Sequence, residues 1–501
     1  MYEAYKPFRN YMRRFALAPA LAHIWRLSQH LEQDAPLARQ MGPPPERWGQ
    51  ERRGEDRKLG GHLFAWDLDI LAREIILHGQ PAGAVLERWN DLGVAINHLR
   101  RLDNAAARAF FAEGGDVMRE MHRIAHRQFP WQMPPNRNSL LRYMRIFGRQ
   151  DVEPIVLQQT GLTVLELNRL TFAACGHFLR QPGLSTDQSY ATVGIDPETS
   201  RRYFDRLSSD VPTLRAAVQK EQRYDGAWLY AWNPLRARPL IRFDPAHPNR
   251  VLCPIPSLLM RRVSESLYYD LIEVPAFANA FGHSFQTYVG EILSLSCPSP
   301  RFELLAEQEY RVGKKRKDGV DWILQDADTT LFIECKTSRL RIDAKVSSDA
   351  DALGDALDRL AQAVAQHYKN IADALAGLTH WTPTGRTPYP LVVTLEDWWV
   401  FNPTIYGLLD GRVRHHLAQA GLDPDLPDKM PYTIASAAEL EIAAGIIARV
   451  GLERFMREKT TNEHRQWAVS PFASSVFEGV GAAGQHEFFE AEWNSLTPEE
   501  A

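Results

Sequence analysis

The sequence predicts a multidomain protein, with a mainly α-helical N-terminal half followed by an α/β domain in which a central mixed sheet is flanked by helices. Three observations lead there. A chain of 501 residues is longer than one ordinary hydrophobic core organises, which suggests roughly two to four domains. Apolar residues in the first half recur at helical spacing. In the second half, short apolar runs rich in β-branched and aromatic residues alternate with amphipathic helical stretches. The expected division is 1–150, helical; 151–245, a second helical block and linker; 246–460, the α/β domain; and 461–501, an acidic tail.

Composition narrows the class further. With 45% hydrophobic and 24% charged residues, wholesale disorder is excluded. No apolar run approaches the length of a membrane span, and the charged N-terminus lacks a secretory apolar region, so a cytoplasmic protein without membrane contact is expected. Cys175, Cys253, Cys297 and Cys335 are far apart and form no Cys-X-X-Cys, which fits reduced thiols and argues against a zinc site or disulfide framework. A net charge of −4 means that any nucleic-acid surface must be a local patch.

In the first segment, helices are expected over 11–31, 63–77 and 84–102, with the proline run at 41–46 and a charged loop at 47–58 between the first two. From 100 to 149 arginine exceeds acid, and Phe129, Trp131, Tyr143 and Phe147 are interleaved with the later arginines. Such mixing can track a nucleic-acid backbone and stack bases. A helical packing surface with snorkelling arginines has the same composition and is the favoured reading. In the second segment, residues 156–179 form an apolar helical run that Gln181-Pro182-Gly183 ends. Asp196 and Pro197 then suit the N-cap and first position of another helix. Gly194 beside short helices gives a faint helix-turn-helix signal, which ordinary helical hairpins share. Around Trp228, Tyr230 and Trp232 the chain turns aromatic and proline-rich, as a linker would.

The third segment opens with an amphipathic helix over 281–295, whose apolar face carries Phe285, Tyr288, Val289 and Ile292 with Glu291 at its border. A strand is expected within 301–311. Asp321 to Leu324 and Leu331 to Lys336 then read as two strands of a β-hairpin around the polar run 325–328. Downstream, Leu353, Leu357, Leu360, Val364, Ile371 and Leu375 mark a long helix, 391–395 a buried strand and 432–435 another. Ser436 is placed to cap a helix over 437–449.

The hairpin carries the chemistry. Alternation places Glu334 and Lys336 on one face, with Ile333 and Cys335 on the other. If the tip is the two-residue loop 327–328, residues whose numbers sum to 655 face each other, and Asp321 lies opposite Glu334. Two carboxylates held that close repel, and a cation offsets the cost. Hard oxygen ligands suit Mg2+ or Mn2+, which keep several waters and accept a substrate phosphate. Lys336 could orient or help deprotonate an attacking water, or stabilise charge on the phosphate. Lys314, Lys315, Lys317, Lys336 and Lys345 crowd into one stretch of a chain whose basic residues are mostly arginine, as phosphate contacts would, although Lys314 and Lys315 equally suit a solvated loop.

Asp321, a spacer, then Glu334-Cys335-Lys336 resembles the motif of the PD-(D/E)XK nuclease superfamily, the restriction-endonuclease-like fold. The proline that often precedes the aspartate is absent, and Val320 stands there. The resemblance covers roughly the latter half of the chain in element order and about twenty residues in motif. It implies a metal-dependent endonuclease in which Asp321, Glu334 and the main-chain carbonyl of Cys335 hold Mg2+ or Mn2+. Lys336 would assist the nucleophile, and Glu291 would supply a further acidic group. It also implies a nucleic-acid substrate, DNA before RNA, held by Lys314, Lys315, Lys317 and Lys345. A helical front half ahead of such a core resembles bacterial antiviral defence effectors, in which a partner protein or phage-derived trigger releases the nuclease; a homo-oligomer is a further expectation. Two rival classes are a catalytically inactive nucleic-acid or partner-binding scaffold and a helix-turn-helix regulator. Phosphate-binding glycine loops, His-Glu-X-X-His and serine nucleophile elbows are absent from the sequence.

Overall fold

The structure, a computed structural model, describes residues 1–33, 62–133, 135–346, 350–400, 403–480 and 487–496. The chain divides into two units: Met1–Asp116 with Arg123–Phe277 and Phe489–Ala501, and Val117–His122 with Ala278–Phe488. The boundaries expected at 150, 245 and 460 therefore fall inside units. The proline run and charged loop at 41–58 lie outside the described residues.

In the first unit the helical periodicity resolves into α1 (Tyr2–Met12), α2 (Leu17–Gln33), α3 (Ala65–His78), α4 (Trp89–Ala112), α5 (Val117–Gln132), α6 (Arg137–Phe147), α7 (Glu153–Thr160) and α8 (Val164–Phe178). The first turns of α5 count with the second unit. Two expected helices are each broken in two. Between α1 and α2, Phe15 and Ala16 pair in bridges with Ala84 and Gln80; between α7 and α8, Gly161 takes a left-handed φ of 72° and closes the helix. Then follow β1 (Gly183–Ser185), α9 (Pro197–Leu207), β2 (Ser208–Asp210), α10 (Val211–Glu221), β3 (Leu240–Arg242), β4 (Arg250–Leu252), α11 (Ser257–Val263) and α12 (Tyr268–Leu271).

The strands form a small sheet in the order β1-β4-β3-β2, which the helical reading of this region missed. Three-residue strands are too short to show an alternating pattern. Asp196 caps α9 as expected, accepting from the amides of Glu198 at 2.8 Å and Thr199 at 3.1 Å. The helix-turn-helix reading is corrected. Gly194 sits in a turn, but β1 separates it from α8, and α9 runs directly into a sheet strand. Nor is the aromatic stretch a linker, because Trp228 is fully buried in the first unit's core with Tyr5, Phe8 and Ile75. The Arg73 guanidinium lies 5.0 Å from its ring and donates to Glu74 Oε1 and the Ala231 carbonyl, so a buried charge is fully engaged. Arg123 likewise lies over Phe110 at 4.0 Å and Tyr230 at 4.6 Å, so this arginine is packed inside rather than offered to a polymer.

The second unit is built on a five-stranded mixed sheet. Its elements are α13 (Phe277–Ser296), β5 (Glu303–Ala306), β6 (Tyr310–Val312), β7 (Lys315–Lys317), β8 (Trp322–Gln325), β9 (Thr329–Lys336), α14 (Ile342–Val346), α15 (Ala350–Leu375), β10 (Thr387–Thr394), α16 (Pro403–Gln419), α17 (Leu426–Lys429), β11 (Thr433–Ser436), α18 (Ala437–Val450), α19 (Leu452–Lys459) and α20 (Val469–Val476). The sheet order is β11-β10-β9-β8-β5; β5, β8 and β9 are antiparallel neighbours, and β9, β10 and β11 are parallel. Ser436 caps α18 as expected, accepting from the Glu439 amide at 3.2 Å while Glu439 accepts from the Ser436 amide at 3.0 Å. Strands β6 and β7 form a separate hairpin.

Each face of the sheet buries one set of alternating side chains. Ile323, Phe332 and Val392 pack with Leu357, Leu360, Val364 and Ile371 of α15. Each fully buried side chain of this kind stabilises by about 1.5–3 kcal/mol. On the other face Trp322 meets α13, where its ring lies so near Gly290 that an added Cβ would stand 2.1 Å from it, and its Nε1 donates to the Gln286 carbonyl at 2.8 Å. No helix among the described residues is long and apolar enough to cross a membrane.

Candidate active site on the sheet of the second unit

The hairpin tip fixes the site. Trp322 pairs with Ile333, Ile323 with Phe332, Leu324 with Leu331 and Gln325 with Thr330, each summing to 655, and the Asp326 amide donates to the Thr329 carbonyl at 3.1 Å across the two-residue tip. One step past the last pair, Asp321 stands across from Glu334, on the face that carries Ile323 and Phe332. The backbone bends there. Where a continued ladder would present a main-chain carbonyl, the Asp321 carboxylate accepts from the Cys335 amide at 2.5 Å. A strand residue points its N–H and C=O toward the same neighbour, so the Cys335 carbonyl lies on the Asp321 side as well.

Lys336 Nζ donates to Glu334 Oε1 at 2.5 Å. The other oxygen, Glu334 Oε2, is buried without a hydrogen-bond partner among the described residues, and His367 of α15 brings Nδ1 to 3.6 Å from it. His367 Nε2 sits 3.1 Å from the Phe332 carbonyl, which only an N–H can satisfy, so the ring turns a donor toward Glu334 from Nδ1 only when both nitrogens carry a proton.

The electrostatics follow from this crowding. Burial, and then the adjacent Glu334 charge, push the Asp321 carboxyl up to about 7. Glu334 is also driven up by burial, but His367 and Lys336 outweigh this and hold it below the usual range. A proton shared by this pair therefore rests on Asp321. Burial lowers the pKa of Lys336, yet Glu334 and Asp321 more than offset it and raise it. Lys336 is thus an ammonium, suited to orienting a nucleophile or stabilising phosphate charge, and not to acting as the base.

The structure brings Asp321, Glu334, Lys336 and the Cys335 main chain together. It treats the other expected residues differently. Glu291 lies on α13, the helix that packs against Trp322, and the charges acting most strongly on Asp321 are Glu334, Lys336 and Glu307. Glu307 is the acid the sequence reading missed. Its amide donates to the Asp321 carbonyl at 3.0 Å, and its carboxylate accepts from Gln286 at 2.9 Å. Lys317 is not free to hold phosphate, because its ammonium sits 2.5 Å from Asp373 of α15, which also accepts from Tyr310. Lys314 and Lys315 are exposed at the β6–β7 turn, and Lys345 is half-buried in α14, where its charge acts on His122. His367 was legible only as a polar residue at a core position of the α15 repeat. Among the described residues no group of three or more His, Cys, Asp and Glu side chains is arranged to hold a metal ion, so the side-chain ligands on offer are the two carboxylates. No family model, curated protein or solved structure matches the chain.

Proposed function

We propose that the second unit is a divalent-metal-dependent nuclease that hydrolyses phosphodiester bonds, with DNA as the first substrate to test. One observation carries the reading: two neighbouring carboxylates at a strand bend, one of them with a buried oxygen that no donor among the described residues satisfies, beside a lysine kept protonated. A buried polar atom without a partner is costly unless a ligand completes it. Asp321, Glu334 and the Cys335 carbonyl offer the hard oxygen donors that Mg2+ or Mn2+ takes, with open positions left for water and phosphate. Bound there, the ion would supply Lewis-acid stabilisation of phosphate charge and a more acidic water. Lys336 holds Glu334 in place and presents positive charge beside the pair. The order of elements in the second unit, helix, three sheet strands, helix, parallel strand, supports the likeness to the PD-(D/E)XK superfamily. The first unit would then serve as a sensor or specificity module, answering to a partner protein or a phage-derived trigger in bacterial defence.

The test is incubation with plasmid, linear and single-stranded DNA and with RNA, in magnesium, manganese or chelator. Cleavage should need the metal and fall by about a hundredfold or more in Asp321→Ala and Lys336→Ala. Variants that cut as fast as the parent would refute the assignment. Metal affinity, read by calorimetry, should strengthen as pH rises through about 7, with release of the proton from Asp321.

A further inference from the structure

The hairpin of β6 and β7, just ahead of Asp321 in the chain, is a ribbon of cations. Residues 311–317 hold Arg311, Lys314, Lys315, Arg316 and Lys317 and no acid. Tyr310 pairs with Lys317, Arg311 with Arg316 and Val312 with Lys315, which leaves Gly313-Lys314 as a two-residue tip. Gly313 takes a φ of 61° at the first tip position, where a tight hairpin turn favours glycine, and a Cβ built there would meet nothing within 4 Å. The tip therefore projects into open space.

The base of the ribbon is pinned to the fold. Tyr310 is buried, and its hydroxyl and the Lys317 ammonium both donate to Asp373 of α15, at 2.7 and 2.5 Å. His380 Nε2 sits 2.9 Å from the Glu309 carbonyl beside them. Opposed residues share a face and successive pairs alternate, so Arg311 and Arg316 lie together on the other face. Like charges directly opposite each other weaken a ribbon. Arg316 answers this through an ion pair with Glu309. Arg311, Lys314 and Lys315 are exposed, and none of the three has an ion-pair or side-chain hydrogen-bond partner among the described residues.

We propose that this hairpin enters the major groove of double-stranded DNA beside the bond to be cut, with Arg311, Lys314 and Lys315 against the phosphates that wall the groove. The choice of a nucleic acid rests on the nuclease reading of the nearby carboxylates. From Lys317 to the tip the ribbon rises about 10 Å, which matches a B-form major groove about 8.5 Å deep and wide enough for two strands. The major groove of double-stranded RNA is too narrow for side chains to enter, and a single strand has none. A lipid surface is the other extended anion, but segments that bind one set exposed aromatic or leucine side chains beside their lysines. The one apolar residue here, Val312, is half-buried. Four residues of chain lead from Lys317 to Asp321, at most about 14 Å, so the tip stays within about 24 Å of the carboxylates. At 3.4 Å per base pair, the grip then falls within about seven base pairs of the cut.

The test binds the full-length chain, in chelator, to fluorescein-labelled duplex DNA, duplex RNA and single-stranded DNA of one sequence, between about 50 and 200 mM salt. Duplex DNA should bind tightest. Arg311→Ala, Lys314→Ala and Lys315→Ala should each weaken it by about fivefold to tenfold near 0.1 M salt and lower the slope of log affinity against log salt by about 0.9, whereas Arg311→Lys should keep the slope. Methylation of guanine N7, which lines the major groove, should interfere within about seven base pairs of the cut mapped in magnesium. Equal affinity for duplex RNA overturns the proposal, and so does a triple alanine variant that loses binding to phosphatidylserine vesicles while its DNA binding stays intact. A parent that cuts DNA, with a triple variant of unchanged affinity and salt slope, overturns the hairpin assignment alone. Variants that lose DNA binding from a parent that never cuts overturn the nuclease reading alone. A chain that neither binds nor cuts duplex DNA overturns both.

Discussion

Asp321 illustrates how a functional group opposes the fold that holds it. Its carboxyl is raised to about 7 in the folded chain, against an ordinary value of 3.8. Between those values the unfolded chain has lost the proton and the folded chain has kept it, so stability falls as pH rises from about 4 to about 7. Asp321→Asn keeps an oxygen to accept from the Cys335 amide and removes the charge. It should abolish metal-dependent cleavage while stabilising the second unit at pH 8 by on the order of 3 kcal/mol, with a clearly smaller gain at pH 5. Urea unfolding at the two pH values reads this directly, and a variant less stable than the parent at pH 8 would contradict the account of a buried carboxylate beside a second charge. Such a trade of stability for function is common at sites that gather like charges. The motif residues were legible because alternation and a short tip leave little freedom. Glu307 was not, since nothing local in the sequence says that its amide will bind the Asp321 carbonyl.

At the scale of elements, the hairpin and its packing partners decide whether the carboxylates meet. Trp322 anchors β8 to α13 through its indole, and Gly290 supplies the space. Gly290→Ala would drive a methyl group into that ring. The expected outcome is a loss of about 1–3 kcal/mol from overpacking, together with reduced cleavage, because β8 carries Asp321 at its start. Thermal unfolding alongside a cleavage assay checks it; unchanged stability would mean that the helix can slide away from the strand at no cost. The long, strongly periodic helices α13 and α15 were legible in sequence, whereas β10 begins at Thr387, ahead of the short strand expected at 391–395. The short strands of the first unit were not legible, because three residues cannot display a period of two, and their pairing is a long-range event between segments as distant as 183–185 and 250–252.

At the scale of the whole molecule, the two units should answer to acid in opposite ways. In the first, burial lowers His23 and His78 to about 4 and raises Glu32 to about 7. In the second, burial lowers His122 to about 4, while Asp321 and Glu439 are both raised to about 7. A histidine with a depressed pKa loses its contribution as pH falls from 6.5 toward 4, whereas a carboxyl with a raised pKa regains stability over much the same interval. Two histidines against one carboxyl make the first unit weaker on acidification from 6.5 to 5; one against two makes the second unit stronger. Native-state hydrogen exchange resolved by residue measures both, and parallel changes in the two units would defeat the argument.

The sequence by itself determined the helical front half, the register of the hairpin and the meeting of Asp321, Glu334 and Lys336, because alternation, capping and turn length are local rules read from adjacent residues. It could not determine that Trp228 is core, that Lys317 is bound to Asp373, or that His367 leans on Glu334. Those facts depend on which distant segments pack together, and burial, pairing and pKa belong to that packing rather than to any stretch of chain.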